Sequence, residues 1–219
     1  MPDYVLRPYN YWFIYVAILA ADLALGGPFG PVRRYLIHPF RMPSSSMEPT
    51  ILVGDYFFVS ELPSARRAPP RGAIVVFESQ TQPGVSVIKR VVALPGDTVA
   101  MSKGVLYRNG QAVSEPYVRH VDSIAASKVL PDSLWQIALL VSGGRTDYAP
   151  TPNDWGPLVV PDGSLFVLGD NRDNAYDSRF YGPISLRRLE GVPVAIYFSR
   201  DRTPGGADSV RWDRIGYRF

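Results

Sequence analysis

Short apolar runs separated by turn residues dominate the chain from about residue 55 onwards. The runs are short and bounded by turn residues, as β-strands in globular proteins are. The strands predicted from this pattern cover residues 56–60, 73–77, 85–94, 98–101, 105–108, 111–113, 165–168 and 194–199. Prolines (21) and glycines (19) are spread along the chain between the runs. The pattern predicts an all-β fold with mainly antiparallel sheets.

Turn dipeptides follow the longest predicted strand, 85–94. Pro95-Gly96-Asp97 closes that strand, and Lys103-Gly104 and Asn109-Gly110 separate the next three. Asn-Gly is a strong hairpin signal because both residues tolerate positive φ. Residues 114–157 lack regular alternation and are predicted to be irregular, so we expect a cap-like insertion over about 98–163.

An apolar segment precedes the β region. Residues 11–25 read YWFIYVAILAADLAL, which is short beside the roughly 20 apolar residues of a spanning helix. We expect a short N-terminal membrane helix as an anchor within 1–30 and a β domain over 31–219. A cleaved signal peptide and a buried helix are the alternatives. Arg33, Arg34 and Arg41 follow the segment, and the positive-inside rule alone would place the β domain in the cytoplasm.

Composition removes several kinds of chemistry. The chain has no cysteine and only two histidines, which excludes a thiolate nucleophile and disfavours a histidine metal cluster or a Ser-His-Asp triad. We therefore expect no metal and no cofactor, and a catalytic base other than histidine. The formal net charge is +3 and the arginines are scattered, which disfavours nucleic-acid binding and suits a membrane lipid surface better.

Three serines stand between two prolines in PSSSMEPT, residues 43–50. Proline fixes its own φ and biases the preceding residue towards an extended conformation. The segment is therefore predicted to be stiff and extended, presenting its hydroxyls as a nucleophile carrier would. A Ser/Pro surface loop is the plain alternative.

Lys89 lies in the predicted strand 85–94, next to Arg90. Strand alternation puts the two cations on opposite faces, so one of them must lie on an apolar surface. Desolvation would lower the pKa of a buried lysine from about 10.4 towards the 7 to 8 that suits a general base. An edge lysine whose ammonium reaches water is the alternative.

The polar stretch GDNRDNAYDSR, residues 169–179, follows the predicted strand 165–168. Its spacing is not that of an EF-hand calcium loop. Paired Asp and Arg side chains in such a turn would orient neighbouring groups without touching substrate. We assign the stretch that supporting role.

These stretches together resemble the type I signal peptidases, membrane-anchored Ser/Lys endopeptidases that remove signal peptides from exported proteins. The matching segments, in the order of the family, are PSSSMEPT (43–50), GDYFFV (54–59), GAIVVF (72–77), IKRVVALPGD (88–97) and GDNRDNAYDSR (169–179). The resemblance implies a signal-peptidase-like β-fold with preprotein signal peptides as substrates. It also implies a single-pass protein of the bacterial cytoplasmic membrane with its catalytic domain on the extracytoplasmic side.

Carried over residue by residue, the resemblance makes Ser46 the nucleophile and Lys89 its general base. Ser44 would supply a hydroxyl to the oxyanion hole, beside the backbone N–H of Ser46. The substrate pockets would be lined by Phe40, Met42, Ile51 and Ile88, with Asp177, Ser178 and Arg179 as structural support. Ser45 would matter less because an extended strand turns it to the opposite side.

Ala175 departs from the family's most familiar form, which has a serine there whose hydroxyl holds the lysine ammonium. Another group must orient Lys89, such as Ser178, a water or a backbone carbonyl, and we expect altered rather than absent activity. Two alternatives to a general signal peptidase stay open. One is a specialised Ser/Lys maturation peptidase for a pilin or conjugation protein, and the other is a catalytically silent peptide-binding β-module.

Overall fold

The structure is a computed structural model, and it describes residues 38–60, 69–121, 134–141, 148–201 and 208–219. The strands in these ranges are β1 (His38–Arg41), β2 (Asp55–Ser60), β3 (Ile74–Glu78), β4 (Ser86–Ala93), β5 (Thr98–Ser102), β6 (Val105–Arg108), β7 (Gln111–Ala112), β8 (Trp155–Val159), β9 (Ser164–Leu168), β10 (Ile184–Ser185) and β11 (Leu189–Ser199). Two one-turn α-helices accompany them in these ranges, α1 (Leu134–Ile137) and α2 (Ser178–Tyr181), with 3-10 turns at Arg172–Asn174, Leu186–Arg188 and Trp212–Arg214. The prediction of a mostly β-sheet protein is confirmed.

The predicted anchor, residues 1–30, lies outside the described part of the chain. In the part that is described, no helix is both long enough and apolar enough to cross a membrane. The division into an anchor, a β domain and a cap-like insertion stays a prediction.

The described strands form two sheets. The larger has the order β1-β2-β11-β3-β4-β9-β10, and the smaller has the order β7-β6-β5-β8. The named strands pair antiparallel in both sheets. β11 lies between β2 and β3, and its register against β2 shifts after Pro193, where the missing N–H interrupts the ladder.

The hairpins of the smaller sheet form at the predicted turns. Lys103 and Gly104 have φ of 49° and 77°, and Asn109 and Gly110 have φ of 52° and 78°. Positive φ at both central residues is the mark of a type I′ turn, whose twist matches that of the strands it joins.

The irregular structure predicted for residues 114–157 is wrong at its end, where β8 begins. Gly156 and Pro157 hide the strand in the sequence because both residue types weaken a strand pattern. A Cβ on Gly156 would lie 2.8 Å from the carbonyl oxygen of Val99 on β5. Glycine therefore permits β8 to approach β5 and complete the smaller sheet.

Both faces of the larger sheet are covered at β3. Ile74 and Val76 belong to one apolar cluster, whereas Val75 and Phe77 belong to another. A strand buried on both sides reads as a continuous apolar run rather than an alternation. The strand next to it, β4, consequently buries every residue from Ile88 to Ala93.

Candidate active site

The serine-rich stretch forms a turn directly after β1, and the prediction of an extended segment is wrong. The backbone N–H of Glu48 donates to the carbonyl of Ser45 at 3.1 Å, and that of Ile51 donates to the carbonyl of Met47 at 2.9 Å. Met47 and Ile51 are completely buried among apolar side chains of the sheet. Their burial bends the backbone and brings Ser46 towards the sheet, leaving it 7% exposed.

Lys89 reaches Ser46 from β4. Its Nζ donates to Ser46 Oγ at 2.9 Å and to the carbonyl of Ile88 at 2.9 Å. The lysine is 4% exposed, and burial lowers its pKa from 10.5 to about 8 because the ammonium form loses hydration. The carboxylates of Asp177 and Asp170 oppose this effect and raise the pKa.

Arg90, the second buried cation of β4, is paired. Its guanidinium donates to both carboxylate oxygens of Asp170, at 2.8 and 2.6 Å, and to the carbonyl of Gly72 at 2.8 Å. The alternation argument placed one of the two cations on an apolar surface; both are buried, with Arg90 9% exposed. Within the described residues, the Lys89 ammonium donates to a hydroxyl and a carbonyl and not to a carboxylate, so its charge is the one that desolvation penalises.

The polar stretch 169–179 packs directly against the serine turn. The backbone N–H of Asn171 donates to the carbonyl of Ser46 at 3.2 Å, and its side-chain amide donates to the carbonyl of Ser45 at 3.1 Å. Gly169 permits the close approach: a Cβ there would lie 2.6 Å from the carbonyl oxygen of Ser46 and 2.3 Å from the Cβ of Ala175. The two loops therefore meet through backbone, with little room for larger side chains.

Asp177 and Arg179 form a completely buried ion pair at 2.9 Å. The Asp177 carboxylate also accepts the backbone N–H groups of Gly169 and Arg179, at 3.0 and 3.1 Å. Ser178 Oγ accepts the backbone N–H of Val167 at 3.0 Å. Ser178 thus connects the loop to β9. The group that accepts a hydrogen bond from the Lys89 ammonium is a backbone carbonyl, that of Ile88.

A pocket of about 130 Å³ opens beside Ser46 and Lys89. It lies between the end of β1 and the beginning of β4, and its walls include Phe40, Met42, Ser44 and Ile88. Ser44 Oγ lies 3.2 Å from Ser46 Oγ. Ile51, predicted to line the pocket, does not border it and is part of the apolar cluster beneath.

Among the described residues, no strand pairs with the edge of β4 that borders the pocket. β9 pairs with β4 only from Arg90 onwards, whereas the pocket is lined by Ser86, Val87, Ile88 and Lys89. An open strand edge beside apolar pockets is the geometry that accepts an extended peptide as an added strand. The arrangement thus combines a hydroxyl, a deprotonatable amine and a groove for an extended chain.

Comparison with known proteins is consistent with this geometry. The family described as "Signal peptidase, peptidase S26" matches residues 11–198. The chain belongs to this family.

Similar members come from distant bacteria. Signal peptidase I of Pseudomonas aeruginosa is 34% identical over 193 residues, covering 77% of this chain and 67% of the relative. Signal peptidase I of Aquifex aeolicus is 31% identical over 200 residues (77% and 78%), and that of Bacillus licheniformis is 33% identical over 182 residues (83% and 84%). A crystal structure of a signal peptidase I from Enterococcus faecalis is 32% identical, with a TM-score of 0.39 over 57% of this chain and 97% of that one.

Several side-chain contacts near the site of this signal peptidase family member were not predicted from the sequence. Asp170 accepts a hydrogen bond from Thr50 at 2.5 Å, and Arg90 lies with its guanidinium 3.9 Å from the ring centre of Tyr117. Arg172 is buried and pairs with Glu115 at 2.6 Å. The sequence does show Arg90 beside the candidate base and Asp170 just after β9. It does not show that they pair, because they are distant in the chain.

Proposed function

We propose that the protein is a serine endopeptidase that cleaves signal peptides from exported preproteins, with Ser46 as nucleophile and Lys89 as general base. The observation that carries the proposal is the 2.9 Å contact between Lys89 Nζ and Ser46 Oγ inside a buried site. An amine whose pKa is about 8 is partly deprotonated near neutral pH, so it can accept the serine proton. The names of the relatives, signal peptidase I, support the substrate class.

In the first half of the reaction, Ser46 Oγ attacks the scissile carbonyl carbon while its proton passes to the neutral Lys89 amine. The carbonyl π electrons move to oxygen, and the Ser44 hydroxyl and the Ser46 backbone N–H donate to that oxyanion. Collapse of the tetrahedral intermediate breaks the C–N bond, and the Lys89 proton goes to the leaving amine. The mature protein departs with a new N-terminus, and the signal peptide stays esterified to Ser46.

In the second half, water attacks the ester and gives its proton to Lys89. The C–O bond to Ser46 breaks, the serine oxygen takes back a proton, and the signal peptide leaves with a free carboxylate. Phe40, Met42 and Ile88 line the groove for the residues before the cleaved bond. The pocket volume of about 130 Å³ supports small side chains at these substrate positions.

We also propose the placement that the resemblance implies. The apolar run 11–25 would anchor the chain in the bacterial cytoplasmic membrane as a single helix, with the β domain on the extracytoplasmic side and membrane lipid beside it. The arginines after the run favour the opposite orientation. Protease accessibility of the β domain in intact spheroplasts tests the placement: protection of the domain would contradict it.

The test of the activity is cleavage of a purified preprotein by the full chain. We expect the wild type to release the signal peptide, Ser46→Ala to release none, and the matched variant Ser45→Ala to retain activity. Sequencing of the product N-terminus identifies the cleaved bond. Peptide binding without cleavage by the wild type would favour the silent peptide-binding module, and cleavage of only one client among several unrelated preproteins would favour a specialised maturation peptidase.

A further inference from the structure

Residues 115–121, which follow the smaller sheet's β7 strand, form a segment that crosses the loop 169–174; we name it the strap. The backbone N–H of Arg119 donates to the carbonyl of Asp170 at 2.8 Å, and its own carbonyl accepts the N–H of Arg172 at 3.0 Å. This is an isolated parallel bridge opposite Asn171. Asn171 donates hydrogen bonds to the carbonyls of Ser45 and Ser46. The strap therefore contacts the loop that binds the backbone of the serine turn.

The side chain of Arg119 reaches the serine turn itself. Its Nη1 donates to Glu48 Oε2 at 2.8 Å, two residues after Ser46. Glu48 is otherwise tied to the turn by its backbone bond to Ser45. Arg119 is therefore in contact with both loops that meet at the nucleophile, one through its backbone and one through its guanidinium.

The strap is anchored independently of this ion pair. Glu115 pairs with the buried Arg172 at 2.6 Å and accepts the hydroxyl of Tyr117 at 3.0 Å. The ring of Tyr117 covers the guanidinium of Arg90 at 3.9 Å. These contacts hold the backbone that carries Arg119 in place. The Arg119–Glu48 ion pair can therefore restrain the serine turn.

We propose that Arg119 is a positioning residue for the reaction, which through Glu48 holds the serine turn in register with the loop 169–174. The proposal rests on the proposed function, because it assigns a role in the same reaction. Neither Arg119 nor Glu48 lines the pocket, so their ion pair acts on the placement of Ser46 and not on the groove. Misplacement of a nucleophile by about 1 Å can cost about 10² in rate.

The expected signature is a loss in kcat without a change in KM. For Arg119→Ala we expect kcat to fall roughly tenfold while KM for the preprotein stays within about twofold. Arg119→Lys keeps the charge and should recover most of the lost kcat. Glu48→Gln should lower kcat to a similar extent, and the double variant Arg119→Ala/Glu48→Gln should be no slower than either single variant, because both remove one interaction.

Arg200→Ala is the matched control. Arg200 is paired with Asp208 at 2.7 Å and its side chain is 40% exposed, close to the 47% of Arg119 in its pair. The two arginines are similarly exposed, whereas Glu48 (16%) is less exposed than Asp208 (63%). Ion pairs of half-exposed arginines contribute little to stability. We expect the melting temperatures of Arg119→Ala and Arg200→Ala to stay within about 3 °C of the wild type, and only Arg119→Ala to lose kcat.

Hydrogen–deuterium exchange provides a readout that does not need turnover. We expect faster exchange of the amides of residues 47–51 in Arg119→Ala and not in Arg200→Ala. Unchanged exchange in that turn, unchanged kcat, a purely additive double variant, or a rise in KM at constant kcat would each overturn the proposal. A wild-type chain that cleaves no preprotein would instead overturn the proposed function, and the exchange experiment would still show whether the Arg119–Glu48 ion pair holds the serine turn.

Discussion

At the scale of single residues, burial determines what Lys89 can do. The lysine is 4% exposed, and its hydrogen-bond partners are a hydroxyl and a carbonyl, which stabilise an ammonium less than a carboxylate would. Asp170 and Asp177 are engaged by Arg90 and Arg179. Desolvation therefore prevails over the attraction of the two carboxylates, and the pKa falls to about 8.

This pKa predicts the pH dependence of the activity. Because the neutral amine is the base, kcat/KM should rise with pH and level off above about 8. Lys89→Ala and Lys89→Arg should both abolish turnover, since arginine is not deprotonated in practice. Initial rates of preprotein cleavage between pH 5 and pH 10 check the profile, and near-normal activity of Lys89→Arg would exclude the role of base.

The same group makes a prediction for stability. The pKa of Lys89 is lower in the folded state than in the unfolded state, so the unfolded state binds the proton more tightly. This lowers the free energy of unfolding at neutral pH. The loss disappears as pH rises from about 8 to 10.5. We therefore expect Lys89→Met to be more stable than the wild type at pH 7, by on the order of 3 kcal/mol. Urea unfolding should show the difference narrowing as pH increases, and a constant difference would contradict the lowered pKa.

Ala175 offers a test at the neighbouring loop. Ala175→Ser would add a hydroxyl where the family's most familiar form has one, and a hydroxyl that accepts from the ammonium stabilises the charged form of Lys89. We expect the kcat/KM profile to move to higher pH, with the exposed Ala112→Ser as an unchanged control. An unaltered profile in both variants would mean that the Ile88 carbonyl already orients the ammonium sufficiently.

At the scale of elements, the loop 169–177 and the one-turn helix α2 are held together by the ion pair of Asp177 and Arg179. Both side chains are completely buried. The Asp177 carboxylate caps α2 through the N–H of Arg179 and holds Gly169, which touches the serine turn. Breaking the pair therefore disturbs both the fold and the site.

Removing one partner of this pair should be strongly destabilising. For Asp177→Ala we expect the free energy of unfolding to fall by about 3 to 5 kcal/mol, because the guanidinium of Arg179 would stay buried without its counter-charge. Removing the half-exposed partner of another ion pair, in Arg200→Ala, should cost no more than about 1 kcal/mol. Urea unfolding at pH 7 compares the two, and equal costs would contradict the effect of burial.

At the scale of the whole molecule, side chains join the two sheets. The stacked rings of Trp155 and Phe166, 5.1 Å apart, connect β8 to β9. Gln136 of α1 is completely buried, accepts the Tyr148 hydroxyl at 2.5 Å, and donates to the carbonyl of Arg179 at 3.2 Å. The smaller sheet's side of the molecule thus contacts the helix that contains Arg179.

Gln136→Leu tests whether this junction matters. The substitution leaves the Arg179 carbonyl and the Tyr148 hydroxyl without Gln136, so we expect a loss of about 1 to 3 kcal/mol in stability and a lower kcat. Gln80→Leu is the control, because Gln80 donates to the Pro183 carbonyl at 2.9 Å in an exposed position. Urea unfolding and preprotein cleavage are measured for both variants. Full activity of Gln136→Leu would show that the contacts of Gln136 do not affect the reaction.

The sequence by itself determined the mostly β character and the type I′ turns at Lys103-Gly104 and Asn109-Gly110. These depend on short apolar runs bounded by turn residues and on local φ preferences, which short stretches encode. It also determined the family, because five ordered segments carry the resemblance. β8 escaped prediction because the glycine that permits its approach to β5 weakens the local strand pattern.

Only the tertiary structure decided how the site is assembled. The serine stretch turns instead of extending because Met47 and Ile51 are drawn into the apolar core, and Ile51 lies beneath the pocket for the same reason. The pairing of Arg90 with Asp170 and the ion pair of Arg119 with Glu48 each join residues far apart in the chain. Such contacts depend on strand order and burial, which local sequence patterns do not contain.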